Sequence, residues 1–204
     1  MNGNASSTVA LILAGGRGSR LSPLTDARPK PAVPLAGSYR LIDVALSNLT
    51  HSGLRDVWIA EQYRPGLLNR HLAGGRPWDL DGTRSGLRIL PPGEGDTEDG
   101  FSEGNGHALY QQLEAVEEFG ADTLVVLSAD HLYQLDLRPV LAQHAEQGSD
   151  LTVVTTQIAE DPSRYGVVTT RGGRVTAYDY KPDSPTGHVV ATEVFVFDVA
   201  ALRR

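Results

Sequence analysis

Residues 11–20 read Leu11-Ile12-Leu13-Ala14-Gly15-Gly16-Arg17-Gly18-Ser19-Arg20. The segment 8–13 is a short apolar run with β-branched residues, which predicts a buried strand. A strand that ends in a glycine-rich turn lets the backbone approach a ligand closely and turns its N–H groups towards an anion. Arg17, Arg20 and Lys30 add positive charge just beyond the turn. The segment therefore predicts a phosphate site, and the alternative is a tight loop with solvated charges.

Composition limits the classes of function that the chain can serve. Its 204 residues suffice for one substantial α/β core, and its net charge of −7 argues against a nucleic-acid surface. Cysteine is absent, which excludes disulfides and thiolate metal sites. No apolar run approaches ~18 residues. The first residues lack the basic and apolar parts of a secretion signal, so we expect a cytoplasmic protein that does not enter a membrane.

Hydrophobic periodicity predicts strands and helices in alternation along the chain. The predicted helices are 40–52, 65–72, 105–119 and 137–147, and the predicted strands are 57–60, 87–90, 123–127 and 151–157. Strand 123–127 has no polar residue after its first position, so we expect it to lie centrally in a parallel sheet. Segments 167–169 and 174–178 predict a hairpin. Together these elements predict a doubly wound, mostly parallel, Rossmann-like α/β sheet with an appended β-hairpin.

Further motifs follow the glycine-rich segment in a fixed order. They are Arg28-Pro29-Lys30-Pro31-Ala32-Val33-Pro34, Tyr39-Arg40-Leu41-Ile42-Asp43-Val44-Ala45-Leu46-Ser47-Asn48, Glu61-Gln62-Tyr63, Ser128-Ala129-Asp130-His131-Leu132-Tyr133, Tyr165-Gly166-Val167 and Lys181-Pro182. With the first segment, they resemble the sugar-nucleotide pyrophosphorylases (nucleotidyltransferases), and within them the glucose-1-phosphate adenylyltransferase branch. The resemblance spans nearly the whole chain.

The resemblance implies a reaction in which a sugar-1-phosphate oxygen attacks the α-phosphorus of a nucleoside triphosphate and pyrophosphate leaves. The attacking oxygen is already anionic, so positive groups and a metal ion must do most of the catalysis. The implied partners are ATP, or another nucleoside triphosphate, and glucose-1-phosphate, which would give ADP-glucose for storage polysaccharide. The implied cofactor is Mg²⁺. We also expect a homo- or hetero-oligomer, without nucleic-acid or membrane partners.

The resemblance also assigns roles to individual residues. Arg20 and Lys30 are expected to grip the triphosphate, and Lys181 to hold the sugar phosphate. Asp130 follows the central strand and is expected to bind the metal ion, whereas its alternative role is that of a capping or turn residue. The histidines show no ligand spacing, so we expect them to be solvated or to cap helices. The expected nucleotide-binding residues are Leu13, Ala14, Gly15, Gly16, Arg17, Gly18 and Gly104.

The sequence also departs from the family pattern. Gly93-Glu94 replaces glutamines that face the base, Tyr180 replaces a glutamate before Lys181, and Ala191-Thr192-Glu193 replaces Ser-Met-Gly. We therefore expect ATP binding to be weak and poorly selective. Family members continue into a second metal-binding aspartate and a β-helix, so residues 1–204 are expected to be a single nucleotidyltransferase domain, truncated or shortened. The alternatives are a pyrophosphorylase for another sugar nucleotide and a non-catalytic regulatory paralogue.

Overall fold

Four α-helices and ten strands occupy the part of the chain that the computed structural model describes, which is residues 7–15, 18–61, 65–90 and 105–204. The helices are α1 (Ile42–His51), α2 (Pro65–Leu72), α3 (Asn105–Phe119) and α4 (Leu137–Gln147). The strands are β1 (Thr8–Ala14), β2 (Pro34–Leu35), β3 (Tyr39–Arg40), β4 (Asp56–Glu61), β5 (Leu87–Leu90), β6 (Thr123–Ser128), β7 (Leu151–Gln157), β8 (Gly166–Arg171), β9 (Arg174–Tyr180) and β10 (Val189–Asp198). The predicted helices and strands are confirmed, and most of them begin and end within two residues of the predicted bounds.

The main sheet has the strand order β5-β4-β1-β6-β10-β8-β9, and β7 also pairs with β10. Strands β5, β4, β1 and β6 run parallel to one another. Strand β10 runs antiparallel to β6, β7 and β8. The short strands β2 and β3 form a separate pair. The predicted mostly parallel sheet is therefore confirmed, with its parallel strands at the β5 to β6 side and antiparallel strands beyond β6.

The expectation that β6 lies within a parallel sheet is correct on one side only. Residues 124–127 are buried, as predicted, and β6 is parallel to β1. On its other side β6 pairs with antiparallel β10, with Val194 opposite Leu127. An apolar run indicates that both faces of a strand are covered, but it does not indicate the direction of the neighbouring strands.

Two apolar clusters cover the two faces of the sheet. Alternate residues of β1 enter different clusters, because successive side chains of a strand point to opposite faces. Ile12 packs with α1 residues such as Leu46, whereas Leu11 packs with Trp58 and with Val116 of α3. Helices therefore lie on both faces, which confirms the doubly wound arrangement.

The predicted hairpin is formed by β8 and β9, which Gly172 and Gly173 connect in left-handed conformations. It joins the sheet where Val167 lies opposite Val190. Its outer strand is exposed along its whole length. None of the described helices is long and apolar enough to cross a membrane.

Candidate functional site

The carboxyl ends of three parallel strands lie side by side. Ala14 of β1 is opposite Glu61 of β4, and Leu13 is opposite Ser128 of β6. The amide of Ala129 donates to the carbonyl oxygen of Leu13 at 3.2 Å, which holds the two strand ends together. Open α/β sheets bind ligands at this edge. The predicted residues Leu13, Ala14 and Gly15 therefore lie where a ligand is expected.

Gly18 packs against the side chain of Lys30. Its φ of +69° is unfavourable for a residue with a β-carbon, and a β-carbon there would lie 2.9 Å from Cβ of Lys30. The buried hydroxyl of Thr25 donates to the carbonyl oxygen of Gly18 at 2.8 Å and so holds Gly18 from the other side. Glycine is thus required at position 18 for both conformation and space. Sequence reasoning did not find Thr25, because a single threonine in a loop carries no signal.

Lys30 and Asp130 form the central pair of the site. Lys30 lies in a short 3-10 turn, Lys30–Ala32, and its ammonium donates to Oδ2 of Asp130. The hydroxyl of Ser128 donates to Oδ1 of the same carboxylate. Both members of the pair are partly buried. The sequence predicted each residue separately, and the structure shows that they meet although 100 positions separate them.

The carboxylate of Asp130 is held in its charged form. Burial by itself raises the pKa of this carboxyl, but the hydrogen bonds from Lys30 and Ser128 lower it. The positive charge of Lys30 lowers it further, as does that of His131 when its ring is protonated, and the net pKa lies below the ordinary value for aspartate. The site therefore presents an anionic oxygen ligand next to a cation.

Asp130 fits a cation that takes its remaining ligands from elsewhere. Among the described residues no group of three His, Cys, Asp or Glu side chains could hold a metal ion. Both oxygens of Asp130 already accept hydrogen bonds, so a cation would compete with Lys30 and Ser128 for them. Mg²⁺ commonly binds through one or two carboxylates together with substrate phosphates. The donor set therefore fits a metal ion that enters with a triphosphate.

His131 lies beside the Lys30–Asp130 pair, and its side chain is 38% exposed, in keeping with the expectation that the histidines are solvated. Its Nδ1 lies 3.1 Å from the carbonyl oxygen of Thr192, which can only accept, so Nδ1 donates to it. Its Nε2 faces Oδ1 of Asp130 at 3.9 Å and Oε2 of Glu193 at 3.7 Å. For His144 the expectation is wrong, since this residue is buried and its Nδ1 lies 2.8 Å from the hydroxyl of Thr152.

Glu61 is a buried carboxyl that sequence reasoning had treated only as part of a motif. It ends β4, opposite Ala14, and its side chain is 3% exposed. Burial raises the pKa of Glu61 to about 7, although a hydrogen bond with Asn69 lowers it in part. Its Oε1 has no hydrogen-bond partner among the described residues. A carboxyl next to the glycine turn is thus neutral over part of the physiological pH range.

The structure shows fewer contacts for the other predicted site residues. Arg20 is exposed, and within the described parts of the chain no ion pair or hydrogen bond holds its side chain. Lys181 follows β9 with a φ of 49°, its amide donates to the carbonyl oxygen of Tyr165, and its Nζ lies 4.7 Å from the ring centroid of Tyr180. No contact between described residues joins Lys181 to the Lys30–Asp130 pair. The predictions that involve Gly16, Arg17, Gly93, Glu94 and Gly104 lie outside the described residues.

Comparison with known proteins identifies the family. The nucleotidyl transferase family profile matches residues 9–204. Glucose-1-phosphate adenylyltransferase of Thermotoga neapolitana is 41% identical over 198 residues, which cover 96% of this chain and 47% of that protein. The enzyme of the same name from Thermotoga maritima is 40% identical over 199 residues, 97% of this chain and 47% of that protein. This chain therefore spans about half the length of the curated relatives it matches.

A solved structure shows the same fold. A crystal structure of a putative glucose-1-phosphate thymidylyltransferase from Bacillus anthracis, in complex with a sucrose, superposes with a TM-score of 0.80. It is 24% identical, and the match covers 95% of this chain and 72% of that one. The profile match extends from β1, through the Lys30–Asp130 pair, to the last residue. The chain belongs to the nucleotidyl transferase family.

Proposed function

We propose that this chain transfers an adenylyl group from ATP to glucose-1-phosphate, giving ADP-glucose and pyrophosphate. The observation that carries the proposal is the Lys30–Asp130 pair, which lies at the carboxyl edge of the sheet and packs against the glycine turn through Gly18. Two relatives named glucose-1-phosphate adenylyltransferase, 40% and 41% identical, support the choice of substrates.

In the proposed reaction, an oxygen of the sugar phosphate forms a bond to the α-phosphorus of ATP. The bond between that phosphorus and the oxygen that bridges to the β-phosphorus breaks, and pyrophosphate carries the electrons away. No base is needed because the attacking oxygen is already anionic. Lys30 reduces the repulsion between the two anions and stabilises the leaving charge, and one such oriented donor contributes roughly 3 kcal/mol. Arg20 is proposed to assist it, and Lys181 to hold the phosphate of the sugar.

The family generally uses a divalent metal ion, and we propose Mg²⁺ here, with Asp130 as its protein ligand. When bound, the ion would neutralise charge on the phosphates. The structure offers one ionised carboxylate at this point and no described three-residue metal group. We therefore propose that the metal ion binds weakly to the free protein and more tightly when ATP supplies phosphate oxygens.

Pyrophosphate release tests the proposal. Wild-type protein is incubated with Mg²⁺, glucose-1-phosphate and one of ATP, GTP, UTP and dTTP. We expect release with ATP that depends on glucose-1-phosphate and falls about a hundredfold in Lys30→Ala. Arg55→Ala is the matched control, because Arg55 is an exposed cation beside the first residue of β4, at the opposite edge of the sheet. Pyrophosphate release with UTP or dTTP, and none with ATP, would show that the donor is another nucleoside triphosphate and not ATP.

A further inference from the structure

Glu193 holds an unfavourable backbone conformation inside a strand. Its φ is 56°, in the left-handed region that residues with a β-carbon rarely occupy. It lies in β10 where the register with β7 shifts, between Ala191 and Phe195. It immediately precedes Val194, the first residue of β10 that pairs with β6. The register shift in β10 therefore places Glu193 beside the end of β6, which Asp130 follows in the chain.

The surroundings of Glu193 keep this conformation in place. The carbonyl oxygen of Thr192 accepts from His131 at 3.1 Å, and the hydroxyl of Thr192 donates to the carbonyl oxygen of Val154 at 2.9 Å. The carboxylate of Glu193 lies 3.7 Å from Nε2 of His131. The side chain of Glu193 is nevertheless 43% exposed. A carboxylate that is held in position and also open to solvent is accessible to a ligand.

Strand β10, which carries Glu193, lies beside the hairpin, because Val190 is opposite Val167 of β8 and Val168 is opposite Tyr178 of β9. Tyr178 crosses over Gly166, where a β-carbon would overlap its phenol oxygen. Burial raises the pKa of the Tyr178 phenol, and the negative charge of Glu193 raises it further. Glu193 therefore lies on the hairpin's side of β6, and β9 continues from Tyr178 to Lys181.

Strand order divides the site into two halves. Strand β1, which ends in the glycine turn, lies on one side of β6, and β10, β8 and β9 lie on the other. Asp130 follows β6 and stands between the halves. A carboxylate can only accept hydrogen bonds and repels phosphate, so Glu193 is unsuited to contact a triphosphate. Glu193 is suited to contact the uncharged sugar ring of the sugar phosphate, which we propose binds on the side of Lys181.

We propose that Glu193 is a specificity-determining residue for the acceptor sugar, a proposal that rests on the function proposed above. Its carboxylate accepts hydrogen bonds from donor groups of the sugar ring. It favours sugar phosphates whose ring carries hydroxyl or ammonium groups, and it rejects those whose ring carries a carboxylate. The unfavourable backbone at position 193 is the structural cost of placing that charge there.

The test compares three probes: glucose-1-phosphate, glucosamine-1-phosphate and glucuronic acid 1-phosphate. Calorimetric affinity and turnover with Mg²⁺ and ATP are measured for the wild-type chain, Glu193→Gln and Glu193→Gly. We expect the wild type to bind the amino sugar best and the uronic acid worst. In Glu193→Gln the preference for the amino sugar over the uronic acid should fall about fivefold, as the loss of a half-exposed charge interaction implies. Glu160→Gln removes an exposed carboxylate elsewhere and should leave the preference unchanged.

Glu193→Gly separates specificity from a structural role. Glycine tolerates the left-handed backbone, so this variant should melt at or above the wild-type temperature while its preference falls as in Glu193→Gln. Equal preferences in wild type and Glu193→Gln, with glucose-1-phosphate still used, would overturn the role of Glu193 and leave the proposed function standing. Failure of the wild-type chain to bind or use glucose-1-phosphate would overturn the proposed function and this inference together.

Discussion

Gly18 packs against the side chain of Lys30, so closely that a β-carbon at position 18 would lie 2.9 Å from Cβ of Lys30. We predict that Gly18→Ala displaces Lys30 from Asp130 and lowers turnover. The matched control is Gly53→Ala, since Gly53 has a similar φ of +81° and, apart from its chain neighbours, no described atom within 4 Å of the position of a β-carbon. Both variants should lose roughly 1–2 kcal/mol of unfolding free energy through backbone strain, and Gly18→Ala should lose more because its β-carbon also lacks space. Urea unfolding measures the stability of both variants, and pyrophosphate release should fall in Gly18→Ala only. Equal activity of the two folded variants would show that the contact does not position Lys30.

The fold was largely predictable because its elements have clear periodicity. Helices α3 and α4 and strands β5 and β7 begin and end where the pattern of apolar residues places them. The direction of β10 beside β6 was not predictable, since a buried strand has the same composition whichever way its neighbour runs. The local sequence specifies which faces are covered, and the long connections through β7, β8 and β9 determine the neighbours.

The site was predictable as a set of residue types but not as a geometry. Lys30 and Asp130 were each expected near phosphate, yet nothing in the sequence indicates that one carboxylate oxygen accepts from Lys30 and the other from Ser128. Glu193 stood out only as a departure from a family pattern. Its left-handed backbone follows from the register shift in β10, which depends on pairing with β7.

The second prediction concerns Asp130. Asp130→Asn keeps the shape of the side chain and removes the charge, so activity should fall about tenfold or more and the Mg²⁺ concentration for half-maximal activity should rise. Asp150→Asn is the control, because Asp150 is an exposed carboxylate whose partner is Arg204. Pyrophosphate release at a series of Mg²⁺ concentrations measures both quantities. An unchanged Mg²⁺ dependence in a folded Asp130→Asn variant would remove Asp130 from the metal site.

The third prediction concerns metal affinity without nucleotide. Because Asp130 is the single described carboxylate in contact with Lys30 and no described three-residue metal group exists, Mg²⁺ should bind weakly to the free chain. Added ATP should raise the apparent affinity, since its phosphates supply further oxygen ligands. Calorimetric titration with Mg²⁺, with and without ATP, measures the difference. Tight Mg²⁺ binding to the free chain would contradict this description of the site.

The fourth prediction uses the buried carboxyl of Glu61, whose pKa burial raises to about 7 from 4.5. The native chain keeps this proton to a higher pH than the unfolded chain does. Its contribution to stability is therefore complete below pH 4.5 and is lost as pH rises through 7. Between pH 5.5 and pH 8 the wild type should lose about 2 kcal/mol of unfolding free energy from this group.

Urea unfolding at these two pH values tests Glu61. Glu61→Gln should remove the pH-dependent loss because glutamine does not titrate, whereas Glu114→Gln, an exposed glutamate of α3, should keep it. Parallel pH dependence in wild type and Glu61→Gln would show that the proton of Glu61 is not linked to folding.

The two lysines of the chain allow the phosphate site to be tested without turnover. Lys30 and Lys181 are its only lysines. We propose that Lys30 binds the triphosphate and Lys181 the sugar phosphate. An amine-reactive reagent labels both, and mass spectrometry of the peptides gives the labelling rate of each residue. Because the exposed Lys181 is expected to bind the sugar phosphate, glucose-1-phosphate should slow its labelling and have less effect on Lys30.

The most direct test of the proposed triphosphate site is the labelling rate of Lys30 with and without ATP and Mg²⁺, at concentrations that calorimetry shows to be saturating. If Lys30 and Asp130 form the triphosphate site, bound ATP protects Lys30 and leaves the labelling of Lys181 nearly unchanged. An unchanged labelling rate at Lys30 while ATP is bound would show that Lys30 does not contact the triphosphate.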